Sequence, residues 1–260
     1  MSISKLNEVA VTTSSTILGV SGLAKVWGQA LASGSSSLLT DLAAYWKLDE
    51  ASGTRVDSTA NAQDVAETGT VASATGILSN GADIEFGTAA YLSHADSATL
   101  SLGADTDFTF SCWVKLESET GWRGGIIAKN GGDDNTDEYL LEYEASGIQR
   151  WRFKVANGTS SQTVAWGSQP STATWYHIMV WHDSANDQIA LVVNNGTPVT
   201  AAWTGGTQNG TAGFYIGTMS YNQGFRFDGI IDEVGFWKRL LTADEKTTLY
   251  NGGTGLSYPF

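Results

Sequence analysis

The chain has 260 residues, of which 27 are acidic and 14 are basic, and its formal net charge at pH 7 is −13. A surface with so few lysines and arginines argues against binding to nucleic acid or to anionic membranes. The sequence contains no apolar run long enough to span a bilayer, and its single cysteine, Cys112, cannot form an intramolecular disulfide.

The first 40 residues contain related short units. Lys5–Val9, Thr16–Val20 and Lys25–Gln29 share a pattern of Lys or Thr, an aliphatic residue, any residue, and Gly or Glu, and they start 11 and 9 residues apart. Such β-prone units cannot bury a core alone, so we expect them to pair with another protein. A disordered leader is the alternative. Apolar residues here are interrupted by Lys, Thr, Ser and Gly, which does not match a secretion signal. We predict a docking arm over residues 1–40 that ends in the linker Ser33–Ser37.

The body, residues 41–260, has the composition of an all-β protein. The whole chain has 30 glycines and three prolines, and short alternating runs are separated by turn residues such as Asn157-Gly, Asn195-Gly and Asn209-Gly. Within Asp107–Leu116, every second residue is apolar, from Phe108 to Leu116. This alternation predicts a strand with one face in a core, which includes Cys112, and one face that is half exposed to water.

A strand followed by a short helix is predicted near the C-terminus. Apolar residues run from Ile231 through Val234 to Phe236, with Gly229 and Gly235 placed where a strand can bulge. Thr242 and Glu245 then form a capping box. We expect the helix to end at the glycine pair 252–253.

Five segments of the chain resemble motifs of the laminin-G-like, concanavalin A-like jelly rolls, in the family's order. These segments are Ala44–Ser58, Asp107–Leu116, Trp175–Asp183, Leu191–Gly196 and Phe225–Tyr250. The resemblance covers about residues 43–254 and implies a jelly-roll β-sandwich with one short C-terminal helix, here preceded by an extended N-terminal arm. The repeats of the arm resemble the N-terminal repeats of structural proteins of tailed bacteriophages.

A structural calcium ion is implied by the family resemblance. Members of the family commonly hold one such ion between a carboxylate near the first strand and another near the last. Asp57 and Asp232 match those positions. The alternative is the acidic run Asp133–Glu138, which is rich in oxygen ligands but whose spacing fits no defined calcium loop. A solvated hairpin tip explains that run equally well.

Aromatic residues in polar connections are the candidate ligand-binding groups. Trp122, Trp166, Trp203 and Tyr221 lie in stretches rich in Gly, Ser, Thr and Asn. An amphipathic ring there could stack on a sugar or contact a partner protein. The alternative is that these rings cover the ends of the sandwich core.

Catalysis is not expected. Jelly-roll glucanases of related fold carry a Glu-x-Asp-x-x-Glu strand that supplies a nucleophile and an acid. Glu142 and Glu144 share a strand face, but no third carboxylate follows at the required offset. His177 matches a family position at which we expect a hydrogen-bonded structural histidine.

These observations predict a non-enzymatic structural protein of a phage virion, such as a capsid decoration, fibre or tail-associated protein. Residues 1–32 would contact other virion proteins, and the sandwich would bind glycans or the host surface from the outside of the particle. Assembly into a homo-oligomer stays open. The alternative functions are a free bacterial carbohydrate-binding or adhesin module and, third, a glycoside hydrolase of jelly-roll fold.

Overall fold

In a computed structural model, the chain is described at residues 37–119 and 123–260 and, between residues 16 and 30, at four two-residue strands. These are β1 (Thr16–Ile17), β2 (Val20–Ser21), β3 (Lys25–Val26) and β4 (Gln29–Ala30). β1 pairs with β2 and β3 pairs with β4, both antiparallel. Two of the sequence repeats therefore form one small antiparallel pair each, and the first repeat, Lys5–Val9, lies outside the described residues.

Fifteen strands follow within residues 37–119 and 123–260. They are β5 (Leu42–Trp46), β6 (Ala66–Thr68), β7 (Ala72–Thr75), β8 (Asn80–Ile84), β9 (Tyr91–His94), β10 (Phe108–Leu116), β11 (Arg123–Lys129), β12 (Tyr139–Glu144), β13 (Arg150–Ala156), β14 (Ser161–Ala165), β15 (Trp175–Asp183), β16 (Gln188–Val193), β17 (Val199–Ala202), β18 (Phe214–Ile216) and β19 (Gly229–Trp237). One helix, α1 (Ala243–Tyr250), comes after them. No helix in this part of the chain is both long and apolar enough to cross a membrane.

The strands form two antiparallel sheets. The eight-stranded sheet has the order β17-β16-β15-β10-β19-β8-β7, with β5 pairing beside β8 on the same edge of β19, and the seven-stranded sheet has the order β14-β13-β12-β11-β18-β9-β6. At one side, Gln162 Nε2 of β14 donates to the carbonyl oxygen of Ala202 of β17 at 2.9 Å. At the other side, the chain passes from β6 to β7 through Gly69 (φ 72°), where a Cβ atom would lie 2.5 Å from the carbonyl oxygen of Ala89. The predicted all-β sandwich with a short C-terminal helix is confirmed.

The main core lies between the sheets. The alternating residues Phe108, Phe110, Cys112, Val114 and Leu116 of β10 all point into it, as their period of two predicts. Burial raises the pKa of the Cys112 thiol, so this cysteine packs in the core as an unreactive small apolar residue.

The expectation that the other face of β10 is half exposed was wrong. Thr109, Ser111 and Trp113 on that face are buried. A second apolar cluster covers the outer face of the eight-stranded sheet and includes Trp181 and Trp237; its other buried members are Leu38, Leu42, Tyr45, Met179, Ala190, Val192, Leu241 and Leu249. Residues distant in sequence provide this cover, so the pattern of β10 alone could not show it.

Helix α1 begins with the predicted capping box. The Glu245 backbone N–H donates to Thr242 Oγ1 at 3.2 Å, and the Thr242 backbone N–H donates to Glu245 Oε2 at 2.8 Å. Arg239, with a bidentate pair at 2.8 Å and 2.8 Å, lowers the pKa of Glu245 to about 2. The helix ends at Tyr250, and Asn251 (φ 46°) takes the left-handed cap position ahead of the predicted glycine pair.

The predicted turns are only partly as expected. Asn157 and Gly158 (φ 88°) form the turn between β13 and β14. The turn after β16 places Asn194 and Asn195, each at φ 52°, in the left-handed region, so it lies one residue earlier than expected. Asn209-Gly210 lies in the long loop between β17 and β18 and joins no hairpin.

The sandwich begins before residue 41. The Trp237 indole N–H donates to the carbonyl oxygen of Leu38 at 2.7 Å, and Leu38 is fully buried. Arg239 donates to the carbonyl oxygens of Ser37 at 2.7 Å and Thr40 at 2.9 Å. Residues 37–40 are therefore packed against β19 and the chain that follows it.

Two truncations should separate the arm from the sandwich. A chain that begins at Ser37 keeps the contacts of Leu38 within residues 37–119 and 123–260, so we expect its melting temperature to equal that of the full chain. A chain that begins at Asp41 loses Leu38 and two acceptors of Arg239, so we expect its free energy of unfolding to fall by roughly 2 to 5 kcal/mol, as for other buried leucine deletions. Chemical denaturation of the three chains measures both differences, and equal stability of the two truncations would contradict this boundary.

Candidate functional site

The outer face of the seven-stranded sheet carries cross-strand pairs of opposite charge. Strands β12 and β13 are paired so that Glu142 lies opposite Arg152 and Glu144 lies opposite Arg150. The core side chains of these strands alternate with the charged ones, so all four charges point away from the core. Opposite charges directly across an antiparallel pair stabilise its register.

Arginines hold both glutamates by hydrogen bonds. Arg123 of β11 makes a bidentate pair with Glu142, with Nε and Nη2 at 2.6 and 2.8 Å from the carboxylate oxygens. Arg150 Nε lies 2.8 Å from Glu144, and Arg152 Nη1 donates to the same carboxylate. Glu142 is fully buried beneath these guanidinium groups. The bidentate Arg123–Glu142 pair is fixed in orientation and distance, and we call these three arginines and two glutamates the charged grid.

Two lysines pair with three of the four carboxylates in the acidic run 133–138. Lys154 Nζ lies 2.6 Å from Asp134 and 2.5 Å from Asp137, while Lys129 Nζ lies 2.6 Å from Glu138. Burial raises the pKa of Asp137, and its hydrogen bond with Lys154 opposes that shift. Ammonium groups thus occupy the positions at which this run could have offered oxygens to calcium, so it does not fit the alternative metal site.

A groove runs along this face. We call it the sheet groove and define it by three adjoining cavities of about 370, 290 and 510 Å³ that share lining residues. Its charged end is lined by Arg123, Asp134, Glu144, Ser146, Arg152, Lys154, Ser161, Thr163 and Phe225. Its other end is lined by Asn130, Gly131, Gly132, Asp133, Thr136, Gln208, Gly210, Thr211, Ala212, Gly213, Ser220 and Tyr221.

Tyr221 stands where the two ends of the groove meet. It lines both the middle and the far cavity, and it is 43% exposed. Its ring centroid lies 6.2 Å from that of Phe225, which lines the charged end. Two aromatic rings therefore border a polar floor, an arrangement able to contact a sugar ring on its apolar face and its hydroxyls together.

Of the three predicted tryptophans, the two that the structure describes, Trp166 and Trp203, do not line the groove. Trp203 belongs to the main core at 8% exposure, and its indole N–H donates to the carbonyl oxygen of Gly206 at 2.6 Å. Trp166 is half-buried against the core, with its ring edge towards Tyr176. Both rings pack against the core, as expected for rings that cover the end of the sandwich. Trp122 lies outside the described residues.

The charged grid was not predicted from the sequence, although the sequence contains a pattern that indicates it. When Glu142–Arg152 is written as a hairpin, acidic residues on one strand face basic residues on the other at every second position. A single strand does not show which residues lie opposite it, so the arginines that pair with Glu142 and Glu144 were not predicted.

Asp57 does not fit a calcium ligand. Its Oδ1 accepts hydrogen bonds from the backbone N–H groups of Tyr45 and Thr59 at 3.0 and 2.9 Å. Its Oδ2 accepts from Thr59 Oγ1 at 2.8 Å and from the Gln63 backbone N–H at 2.9 Å. All four lone-pair directions of this buried carboxylate are used to fold the 57–63 loop onto β5.

Asp232 has different surroundings. Its Oδ2 accepts from the backbone N–H groups of Ile77 and Leu78 at 2.8 and 3.1 Å, and its buried Oδ1 has no partner among the described residues. Burial raises its pKa to about 8. Asp57 and Asp232 thus serve two separate loops and do not fit one shared ion.

One group of three acidic side chains is brought together elsewhere in the described chain. Oxygens of Asp83, Glu85 and Glu117 lie within 4.8 Å of one another. Burial raises the pKa of all three, and Asp83 raises it further for the other two. The group is partly exposed and we assign it no ligand.

A serine–histidine contact is structural. Ser111 Oγ lies 2.8 Å from His177 Nε2, and both residues are buried. Trp113 and Tyr250 stack on the imidazole, and burial lowers its pKa to about 3. A neutral, covered imidazole cannot activate this serine towards a substrate, and the predicted structural role of His177 is confirmed.

Comparison with known proteins agrees with the observed fold. The sequence model described as the concanavalin A-like lectin/glucanases superfamily matches residues 86–245. A search of curated protein sequences gives no match.

Three solved structures resemble the chain at low sequence identity. Domain 4 of AbnA, an extracellular family 43 arabinanase of Geobacillus stearothermophilus solved with arabinotriose, has 18% identity and a TM-score of 0.59 over 83% of this chain and 98% of that domain. The binding domain of Paraclostridial Mosquitocidal Protein 1 has 15% identity and a TM-score of 0.63 over 82% of this chain and 52% of that chain. The botulinum neurotoxin serotype G binding domain has 11% identity and a TM-score of 0.61 over 80% and 50%. This chain spans about half the length of the two toxin domains, and the likeness concerns the fold.

Metal dependence should show whether Asp57 is a calcium ligand or only accepts hydrogen bonds from the protein. Three backbone N–H groups and the Thr59 hydroxyl use its lone pairs. We therefore expect Asp57→Ala to lower the melting temperature by the same amount with calcium and with EDTA. Differential scanning calorimetry of the wild type and the variant in both buffers measures this. A calcium-dependent rise in the wild type that Asp57→Ala abolishes would restore the shared metal site.

Stability should fall as the pH rises towards 8. Burial raises the pKa of Asp232 from 3.8 to about 8 and that of Glu233 from 4.5 to about 7. In the folded chain Asp232 therefore keeps between about pH 4 and 8, and Glu233 between about pH 4.5 and 7, a proton that the unfolded chain has lost. Within its own window each group lowers the free energy of unfolding by at most about 1.4 kcal/mol per pH unit as the pH rises. Urea denaturation at several pH values between 5 and 9 measures the slope.

The isosteric variant Asp232→Asn should flatten that slope. Its amide oxygen can still accept from Ile77 and Leu78, but it has no proton to lose. Asp244→Asn, at an exposed position of α1, is the control and should leave the slope unchanged. A slope that is equal in all three proteins would contradict the role of Asp232.

Proposed function

Since this chain belongs to the concanavalin A-like lectin/glucanases superfamily, we propose that it is a non-catalytic carbohydrate-binding protein whose site is the sheet groove. The observation that carries the proposal is the groove itself: a floor of paired arginines and carboxylates beside the exposed ring of Tyr221. Of the similar structures, one was solved with arabinotriose and two are toxin binding domains, which supports a binding role.

The floor of the groove suits sugar hydroxyls. A hydroxyl donates one hydrogen bond and accepts others. A surface that offers both guanidinium N–H groups and carboxylate oxygens can therefore bind a hydroxyl as an acceptor or as a donor. Mutual pairing holds Arg123, Arg152 and Glu144 in place before a ligand arrives. Less side-chain freedom is then lost on binding.

The same pairing argues against hydrolysis at this site. A retaining or inverting glycosidase needs one carboxyl that donates a proton and a second carboxylate that attacks or activates water. Glu142 is fully buried and held by Arg123, and Glu144 accepts from Arg150 and Arg152. Since Glu142 is inaccessible, Glu144 is the one member of this pair that a ligand can touch, and the second accessible carboxyl group that hydrolysis needs is missing from the pair.

We further propose that residues 1–32 attach the protein to a virion and that the sandwich is displayed on the particle surface. Support comes from the sequence repeats, two of which form small antiparallel pairs at Thr16–Ser21 and Lys25–Ala30. Such two-residue pairs gain stability by joining a larger sheet. The chain that begins at Ser37 tests this step, because it should fold normally and yet be missing from purified particles.

Alanine substitutions at the exposed Tyr221 and at the buried Trp203 should have opposite effects on glycan affinity and on stability. Tyr221→Ala removes a ring that is 43% exposed, so we expect glycan affinity to fall by about tenfold or more with little change in stability. Trp203→Ala removes a buried ring, so we expect a loss of roughly 3 to 5 kcal/mol in the free energy of unfolding while the folded protein still binds.

Glycan-array binding, calorimetric titration and thermal denaturation of the two variants give both readouts. Tyr221→Phe is the matched control, since it keeps the ring, and it should bind as the wild type does. Unchanged glycan affinity in Tyr221→Ala would place the site elsewhere, and a wild type that binds no glycan would end the proposal.

A further inference from the structure

The charges around the sheet groove nearly cancel. Four cations and four carboxylates meet there in ion pairs: Arg123, Arg150, Arg152 and Lys154 with Glu142, Glu144, Asp134 and Asp137. Asp133, which also lines the groove, is a fifth carboxylate outside these pairs. The chain as a whole carries −13. The groove is therefore close to neutral on an acidic protein, with Asp133 as its one excess charge, and beyond about 8 to 10 Å in physiological salt its field is largely screened.

Each guanidinium still has N–H groups to offer. Arg123 uses Nε and Nη2 on Glu142, Arg152 uses Nη1 on Glu144, and Arg150 uses Nε on the same carboxylate. Their remaining terminal nitrogens have no hydrogen-bond partner among the described residues. Arg123 and Arg152 are also partly exposed, with side-chain accessibilities of 25% and 20%. Neutral acceptors such as hydroxyl oxygens can bind these donors without disturbing any ion pair.

An acidic ligand would meet a different situation. To gain a full ion pair it would have to take an arginine from Glu142 or Glu144, and Glu142 is fully buried. A buried carboxylate without its cation is strongly destabilised, and this cost in free energy offsets the attraction gained in the new ion pair.

The other end of the groove points to the same conclusion. Its lining consists mainly of backbone, amide and hydroxyl groups, such as those of Asn130, Gln208 and Ser220. The charged side chain that lines it, Asp133, is negative. An anionic group is therefore disfavoured along the groove on both sides of Tyr221.

We propose that the sheet groove selects uncharged glycans, in a stretch of several sugar units that crosses Tyr221, and that its arginine–carboxylate pairs bind hydroxyl groups while staying paired. This inference rests on the proposed carbohydrate-binding function and adds the class of ligand. Glycans with carboxylate or sulfate groups are rejected because no uncompensated cation lines the groove.

Calorimetric titration of the full chain with two panels of hexasaccharides tests the selection. The neutral panel contains arabinan, xylan, glucan and mannan fragments, and the acidic panel contains polygalacturonate and alginate fragments. For the wild type we expect binding within the neutral panel that changes less than about twofold between about 50 and 500 mM NaCl, and acidic binding weaker by about tenfold or more.

Two single substitutions add one positive charge each at different places. Glu144→Gln leaves one arginine charge in the groove uncompensated, so we expect it to gain acidic-panel binding at low salt that disappears at high salt. Asp244→Asn makes the same change on α1, at the outer face of the other sheet, and should bind as the wild type does. Circular dichroism of both variants confirms that they are folded.

The outcomes separate the two levels of the proposal. A wild type that prefers the acidic panel, with a salt-dependent loss of about tenfold, would overturn the neutral-glycan inference and leave carbohydrate binding intact. A wild type that binds neither panel would overturn both.

Discussion

The structure depends on the pairing of one strand, β19. It is hydrogen-bonded to β10 on one side and to both β8 and β5 on the other, and each of its nine residues is buried. A bulge opposite Cys112 places Glu233 in the left-handed region at φ 50°. Because of this extra residue, Ile231 and Val234 both reach the main core while Trp237 reaches the outer cluster. Through this one strand, the two apolar clusters are joined into a single folding unit.

This use of both faces of the eight-stranded sheet explains where a ligand can bind. Helix α1, the C-terminal residues and Leu38 cover the outer face of that sheet. The seven-stranded sheet keeps only the small outer cluster of Ala128, Leu140 and Met219, next to Phe225. The rest of its outer face is polar and open, and there the cross-strand charges of β12 and β13 lie. The eight-stranded sheet is stabilised through its covered outer face, and the outer face of the seven-stranded sheet therefore remains available for a site.

The features that sequence predicted well are local ones. The capping box of Thr242 and Glu245 spans three residues, and the alternation of β10 needs only its own residues, so both follow from backbone geometry. The proposed binding face, in contrast, depends on which strands pair with each other. Arg123 meets Glu142 only after β11 pairs with β12, and Trp203 is buried only because the sandwich end closes over it. A loop rich in polar residues therefore suggested an exposed tryptophan where the fold places a core residue.

Internal cations explain how an acidic chain can have a nearly neutral groove. Lys129 and Lys154 are both nearly fully buried, and they are paired with Glu138 and with Asp134 and Asp137. Lys129 Nζ also donates to the carbonyl oxygen of Gly210, and Glu138 accepts from the Gly210 backbone N–H, so this pair holds the far wall of the groove as well. Buried pairs of this kind give little net stability, since desolvation offsets their attraction, but they penalise any arrangement in which one partner is exposed alone. Their contribution here is to fix the shape and the charge of the groove at once, which is what selection among sugars of similar size requires.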